Sequence, residues 1–220
     1  MQLFKTTALA ALMALAASAA ANAASEEELK AGKRVYMTKT CLACHGREGA
    51  KPVLSYPMLA GQNEAYLVEQ MEAIRDGERV GTTDPATGHP YVTGMVDIMH
   101  LLSEDDISNV SAWLASLPAA PPKPLDPAPD AEFLKAGEKA YGKLGCRSCH
   151  GPDGSKPTNK RYPYISGMNP EYAARAMTEI RDKVRTSGQA KLMFGTIRRA
   201  SDEDIEAMAT WLATIDRSSN

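Results

Sequence analysis

The stretch Cys41-Leu-Ala-Cys44-His45 returns 105 residues later as Cys146-Arg-Ser-Cys149-His150. In such a turn the two thiols can add to the two vinyl groups of one porphyrin, and the following histidine can bind its iron. The chain has no other cysteine. The two motifs therefore predict two covalently bound haem c groups. The predicted thioether residues and iron-binding histidines are Cys41, Cys44, Cys146, Cys149, His45 and His150.

Other uses of paired cysteines fit less well. A zinc site would place its second cysteine pair about 15–20 residues after the first, and a thioredoxin-like dithiol would lie beside a βαβ pattern. Here the pairs lie 105 residues apart. Disulfides suit an exported chain but leave the histidine after each pair unexplained.

The residues around the motifs repeat as well, so the chain is an internal duplication. Matched segments are 31–36 with 136–141, 74–76 with 180–182, and Trp113 with Trp211. The offset between the copies falls from 106 residues at Arg79 to 98 at Met95, so the first copy carries eight extra residues, within 80–91.

The residues from Pro118 to Asp130 separate the copies, and six of these 13 are proline. This composition forbids a continuous helix and favours an extended spacer. Within each copy, apolar residues recur at helical spacing behind serine and acidic residues, as after Ser103 and Ser201. The sequence predicts an all-α protein with domains at residues 24–117 and 131–220, joined by a linker at 118–130.

Composition and the N-terminal residues limit the class of protein. The chain has 220 residues, 44% hydrophobic and 24% charged, which is globular, and its net charge of −2 does not favour nucleic acid as a partner. Lys5, the apolar run from Ala8 to Ala21 and the small residue Ala23 are typical of a secretory signal. We therefore predict a signal peptide at residues 1–23, export to the periplasm and no later membrane-spanning segment.

A haem iron bound by one histidine needs a second axial ligand to be six-coordinate. Met95 and Met193 occupy equivalent places, each 18 residues before the tryptophan of its copy. This equivalence predicts that both bind iron, although methionine more often fills a core. Met99 and His100 are rivals without an aligned partner of the same type, and His89 lies in the extra segment.

These residues resemble class I cytochromes c and, more narrowly, the dihaem cytochrome c4 family. Pro57-Met-Leu-Ala-Gly-Gln62 and Arg75-Asp-Gly77 carry the narrower resemblance, which covers nearly all of the chain after residue 23. It implies two tandem class I cytochrome c domains, each wrapped around one haem c, in which the first and last helices cross at a glycine. It also implies that the carbonyls of Pro57 and Pro163 accept a hydrogen bond from the motif histidines.

Histidine and methionine ligation fills both axial positions and favours ferrous iron, as suits a carrier of single electrons. The sequence thus predicts a periplasmic dihaem electron carrier without a substrate of its own. Its expected partners are an electron donor and an acceptor, such as a dehydrogenase and a membrane-bound oxidase. The alternatives are a cytochrome subunit of an oxidoreductase complex, for example a sulfur-compound dehydrogenase, and a dihaem peroxidase, which needs an open haem.

The two copies differ in charge. Residues 24–117 carry a net charge of −6 and residues 131–220 a net charge of +4. Such asymmetry orients a protein in a partner's field. It predicts that the two ends meet different partners, with charge segregation of no functional consequence as the alternative.

Overall fold

A computed structural model describes residues 24–218, and the predicted signal peptide at 1–23 lies outside them. The first domain contains α1 (Glu26–Thr38), α2 (Cys41–His45), a 3₁₀ turn (Arg47–Gly49), α3 (Glu64–Arg75), α4 (Thr93–Met99) and α5 (Glu104–Ser116). The second contains α6 (Ala131–Lys143), α7 (Arg147–His150), α8 (Pro170–Arg181), α9 (Ala190–Ile197) and α10 (Asp202–Ala213). Among the described residues, β structure is limited to one bridge between Thr83 and Pro90. The all-α prediction is confirmed.

Helices begin where the sequence supplies caps. Ser25, Ser103 and Ser201 each form a capping box at the start of α1, α5 and α10. In each box the serine hydroxyl accepts a hydrogen bond from the backbone N–H three residues on, and the acidic side chain there accepts the serine N–H. These local bonds fix the direction of the first and last helices of the domains.

The first and last helices of each domain cross at a glycine. A Cβ added to Gly32 would lie 2.0 Å from the carbonyl oxygen of Asn109, and one added to Gly137 would lie 2.1 Å from that of Ala207. A tyrosine and a tryptophan ring pack beside each crossing with centroids 5.0 and 5.1 Å apart, Tyr36 with Trp113 and Tyr141 with Trp211. Each domain has its own apolar core around this crossing.

The domains also contact each other directly. The Gln62 side chain donates to the carbonyl of Tyr164 at 2.9 Å and accepts the N–H of Tyr164 at 2.8 Å. Asn63 precedes α3 but does not cap it, and its amide donates to the carbonyl of Tyr162 at 2.6 Å. In the second domain the corresponding Asn169 caps α8. The Asn169 amide also donates across the interface, to the carbonyl of Leu54 at 3.0 Å, so the two asparagines share the contact between domains and differ only in capping.

We expect Gly32→Ala and Gly137→Ala each to lower the free energy of unfolding by about 2–3 kcal/mol, because the crossing helices must move apart. Chemical denaturation of the haem-loaded protein measures the change. Gly195→Ala is the control, since a Cβ there meets nothing within 4 Å. That variant should be neutral or more stable by up to about 1 kcal/mol. An equal loss in all three variants would contradict the close-approach argument.

Candidate functional site

The two cysteine–histidine motifs fold into short helical turns near the start of each domain. The first motif forms α2, and in the second domain Cys146 precedes α7, which ends at His150. All four cysteines are free, the first of each pair half-buried and the second exposed. The turns therefore leave the thiols available for bonds to another group.

Both motif histidines are buried and held in one tautomer. Nδ1 of His45 and of His150 lies 3.1 Å from the carbonyl oxygen of Pro57 and of Pro163, respectively. Because a carbonyl only accepts, Nδ1 carries the hydrogen and Nε2 keeps a lone pair. Burial lowers the pKa of both imidazoles, which keeps them neutral. Nε2 of His45 is buried without a hydrogen-bond partner, as expected for an atom that binds iron.

Each histidine lines a mostly apolar cavity that a predicted methionine also lines. The first cavity has a volume of about 290 Å³, and His45 and Met95 are in its wall. The second has a volume of about 160 Å³, with His150 and Met193 in its wall. The rival His100 and His89 of the extra segment are both exposed and lie outside both walls.

Six further methionines line the cavities: Met58, Met71 and Met99 line the first, and Met168, Met177 and Met208 line the second. Met99, the rival named above, is in the first wall and is buried in the core. Met71 on α3 lines the first cavity and Met177 on α8 lines the second. Met71 and Met177 were not predicted from the sequence, because only methionines just before the last helix were considered. The 106-residue offset between the copies would have revealed them as an aligned pair.

The opposite domain completes each cavity. Tyr172, Arg175 and Glu179 on α8 are part of the first wall. Tyr66 and Gln70 on α3 are part of the second. The site in each domain is therefore shaped by residues of both copies.

Two buried arginines at equivalent positions line the cavities, Arg79 the first and Arg185 the second. Gln70 Oε1 accepts hydrogen bonds from both, at 3.2 Å from Arg79 and 2.6 Å from Arg185. Each arginine also donates to a tyrosine hydroxyl of the other domain, Arg79 to Tyr172 at 3.1 Å and Arg185 to Tyr66 at 3.2 Å. The Nε atoms of both arginines are buried without a partner.

This group holds positive charge away from water. Burial would raise the pKa of Tyr172, but the charges of Arg79 and Arg185, with hydrogen bonds from Arg79 and Tyr66, lower it to about 8. A buried guanidinium is stabilised by an anion within hydrogen-bond distance. The carboxylate groups of a haem supply such anions, so the unpartnered Nε–H groups fit a haem in each cavity.

Comparison with known proteins agrees with this geometry. The cytochrome c family model matches residues 29–118 and 134–216. A cytochrome c4 of Azotobacter vinelandii is 32% identical over 209 residues, which cover 91% of this chain and 94% of the relative. This chain belongs to the dihaem cytochrome c4 family.

Two further similarities extend the comparison. The crystal structure of reduced recombinant cytochrome c4 from Pseudomonas stutzeri matches 84% of this chain and 97% of its own, with a TM-score of 0.68 and 28% identity. A thiosulfate dehydrogenase electron acceptor of Thiomonas intermedia is 29% identical over 180 residues, which cover 79% of this chain and 77% of the relative. The cytochrome is an electron-transfer protein rather than an enzyme, and it carries two covalently bound haem c groups, as predicted.

Replacing Cys41 and Cys44 together by alanine should reduce the covalently attached haem from two groups per chain to one, because both thioether bonds of one turn are lost. Mass spectrometry of the denatured protein counts the attached groups. The matched variant replaces Cys146 and Cys149 and should lose the other haem. Two attached haems in either variant would show that these cysteines do not hold them.

Proposed function

We propose that His45 and Met95 bind the iron of the first haem, that His150 and Met193 bind the iron of the second, and that single electrons pass between redox partners through these sites. The supporting observation is that a neutral, carbonyl-bound histidine and an aligned methionine share a cavity wall in both copies. The recurrence favours a common role over chance core packing.

The residues around the iron explain why such a site suits a carrier. Bound haem iron supplies a one-electron change between the ferric and ferrous states. The carbonyls of Pro57 and Pro163 fix the imidazole rings and make them stronger donors, whereas a methionine thioether favours the ferrous state. A haem held by His45 with Met95, or by His150 with Met193, would leave its iron closed to oxygen and peroxide and would supply one-electron chemistry.

We also propose the domain limits 24–117 and 131–220, the linker 118–130, and a signal at 1–23 that directs the chain to the periplasm. In support, α5 ends at Ser116 and α6 begins at Ala131 without a helix between them. None of the helices within residues 24–218 has the length and apolar character to cross a membrane.

The exposed residues around each motif, here called the attachment faces, favour different partners. The first face consists of Leu42, Val53 and Leu101, which are exposed apolar residues. The Val53 N–H donates to the carbonyl of Cys44 at 3.0 Å, and Lys39 Nζ donates to that of Leu101 at 3.0 Å. Cys41 Sγ in turn lies 3.8 Å from the carbonyl of Lys39, so the face surrounds the motif.

At the matching positions, the second attachment face has polar and cationic residues, namely Arg147, Thr158 and Arg199, all exposed. The Thr158 N–H donates to the carbonyl of Cys149 at 2.9 Å. The second face is therefore more cationic than the first, just as the second domain has the more positive net charge. An acidic redox protein fits the second face, and a partner with an apolar contact patch fits the first.

The similarity to a thiosulfate dehydrogenase electron acceptor favours a sulfur-compound dehydrogenase as the electron donor. In this proposal one electron arrives from the donor at one face and one electron leaves at the other, to an acceptor such as a membrane-bound oxidase. The second candidate function, a cytochrome subunit held permanently in such a dehydrogenase complex, rests on the same similarity.

We expect Met95→Ala and Met193→Ala each to halve the weak red-region absorption of methionine-bound ferric haem, because one of two sites loses its sulfur ligand. Absorption spectra of the oxidised protein, with a redox titration of each haem, measure the change. The control variants are Met71→Ala, Met177→Ala and Met99→Ala, which should keep the full band.

A halved band in a control variant would move the assignment to that methionine. An unchanged band in Met95→Ala would overturn the first assignment. Rapid carbon monoxide binding by the native ferrous protein would favour the peroxidase alternative, because both carbon monoxide binding and peroxidase activity require an open position on the iron.

We expect Arg147→Leu to slow oxidation of the reduced protein by the anion hexacyanoferrate(III) about twofold to fivefold at low ionic strength, because one cation beside the second haem is lost. Stopped-flow rates over a series of salt concentrations measure the effect. The reciprocal Leu42→Arg variant should be faster with this anion. Identical salt dependence in the three proteins would show that the attachment faces do not steer encounter.

A further inference from the structure

The segment of residues 80–91, here called the strap, contains the eight extra residues of the first copy. It folds back on itself, with the Tyr91 N–H donating to the carbonyl of Thr82 at 3.0 Å and the Asp84 N–H donating to that of His89 at 2.8 Å. Its two ends therefore lie together, and both contact the second domain.

Thr82 fastens one side of the strap to α8. Its backbone N–H and its hydroxyl each donate to Glu179 Oε1, and both distances are 2.9 Å. Glu179 is only 4% exposed, so this carboxylate is largely shielded from water and depends on these donors. Hydrogen bonds to a buried charged group are stronger than those between neutral groups.

Tyr91 fastens the other side to the same helix. The guanidinium of Arg175 lies 4.0 Å from the centroid of the Tyr91 ring, which is cation–π geometry. The same guanidinium donates to the hydroxyl and the carbonyl of Ser55, both at 3.1 Å. Tyr91 and Arg175 are both part of the first cavity wall.

The strap leads directly into the helix that carries Met95. The N–H groups of Met95 and Val96 donate to the carbonyl of Val92 at 2.9 and 3.0 Å, so the turn begins one residue after Tyr91. Movement of Tyr91 away from α8 would thus move the start of α4.

The second copy has no equivalent fastening. Gly188 matches Thr82, and beside it the N–H of Gln189 donates to Glu69 Oε1 at 2.9 Å, while Arg161 pairs with Oε2 of the same carboxylate at 2.8 Å. No ring takes the place of Tyr91, and the segment before Met193 is eight residues shorter. The segment before Met95 is therefore tied to the opposite domain by contacts of a side-chain hydroxyl and an aromatic ring, which the segment before Met193 lacks.

We propose that the strap is a positioning element that fixes the Met95 side of the first haem site to the second domain. It couples the Met95 side of the first site to the domain contact more directly than the Met193 side of the second site is coupled. This inference rests on the proposed Met95 ligation. Docking of a partner that shifts one domain would then act on the first haem.

The test uses the haem-loaded protein with Thr82→Val, Tyr91→Leu and the double variant. In Tyr91→Leu we expect the red-region absorption assigned to Met95 ligation to weaken and the reduction potential of the first haem to fall. Both changes should be larger in the double variant, and the second haem should show neither. Hydrogen exchange of the amide at residue 82 should become about tenfold faster in the double variant, as the remaining bond to Glu179 opens more often.

Two control variants separate positioning from general destabilisation. Tyr91→Phe keeps the ring beneath Arg175 and should restore the native spectrum and potential. Thr87→Ala removes a hydroxyl whose contacts are within the strap, with Asp84 and the His89 N–H, and should change neither haem. The absorption spectrum of Met95→Ala tests independently whether Met95 binds iron. The exchange measurement at residue 82 tests the strap's contact with Glu179 whichever residue binds iron.

Two results would overturn the inference. Equal changes at both haems would assign the effect to loss of stability. Faster exchange at residue 82 with an unaltered first haem would show that the strap joins the domains without positioning the haem site.

Discussion

Residues of the opposite domain complete the wall of each haem cavity, and this requirement constrains how the two domains pack against each other. The α3 and α8 helices supply both their own cavity and that of the other copy, and Gln70 accepts from an arginine of each domain. Two buried guanidinium groups are costly unless anions compensate them. Domain contact and cofactor binding therefore support each other.

The parts of the site that depend on short stretches of chain were predictable from the sequence. The motif turns and the serine caps follow from residues within one or two turns of helix. The glycine crossings were implied by the resemblance to class I cytochromes c, which rests on glycine and aromatic positions that recur in both copies. The physical causes of these features are local hydrogen bonds and the absence of a side chain at Gly32 and Gly137. The duplication also doubled each signal, so Met95 and Met193 were recognisable as a pair.

The contacts between the copies were not predictable in the same way. Asn63 and Asn169 occupy equivalent positions and both donate across the interface, yet only Asn169 also caps its helix. Arg79 and Arg185 read as ordinary surface cations in sequence, because helical periodicity does not encode how two domains turn towards each other. Sequence repetition gives equivalence of position, whereas the relative orientation of the domains decides how each position is used.

The proline-rich linker bears on how the two haem sites exchange electrons. A short tether holds its ends at an effective concentration on the order of millimolar, so the domains stay in contact at dilutions that would separate two weakly associating proteins. Six prolines among its 13 residues restrict the conformational freedom of the linker. Transfer between the two irons is consequently a first-order event, and its rate is independent of how many copies of the protein the compartment contains.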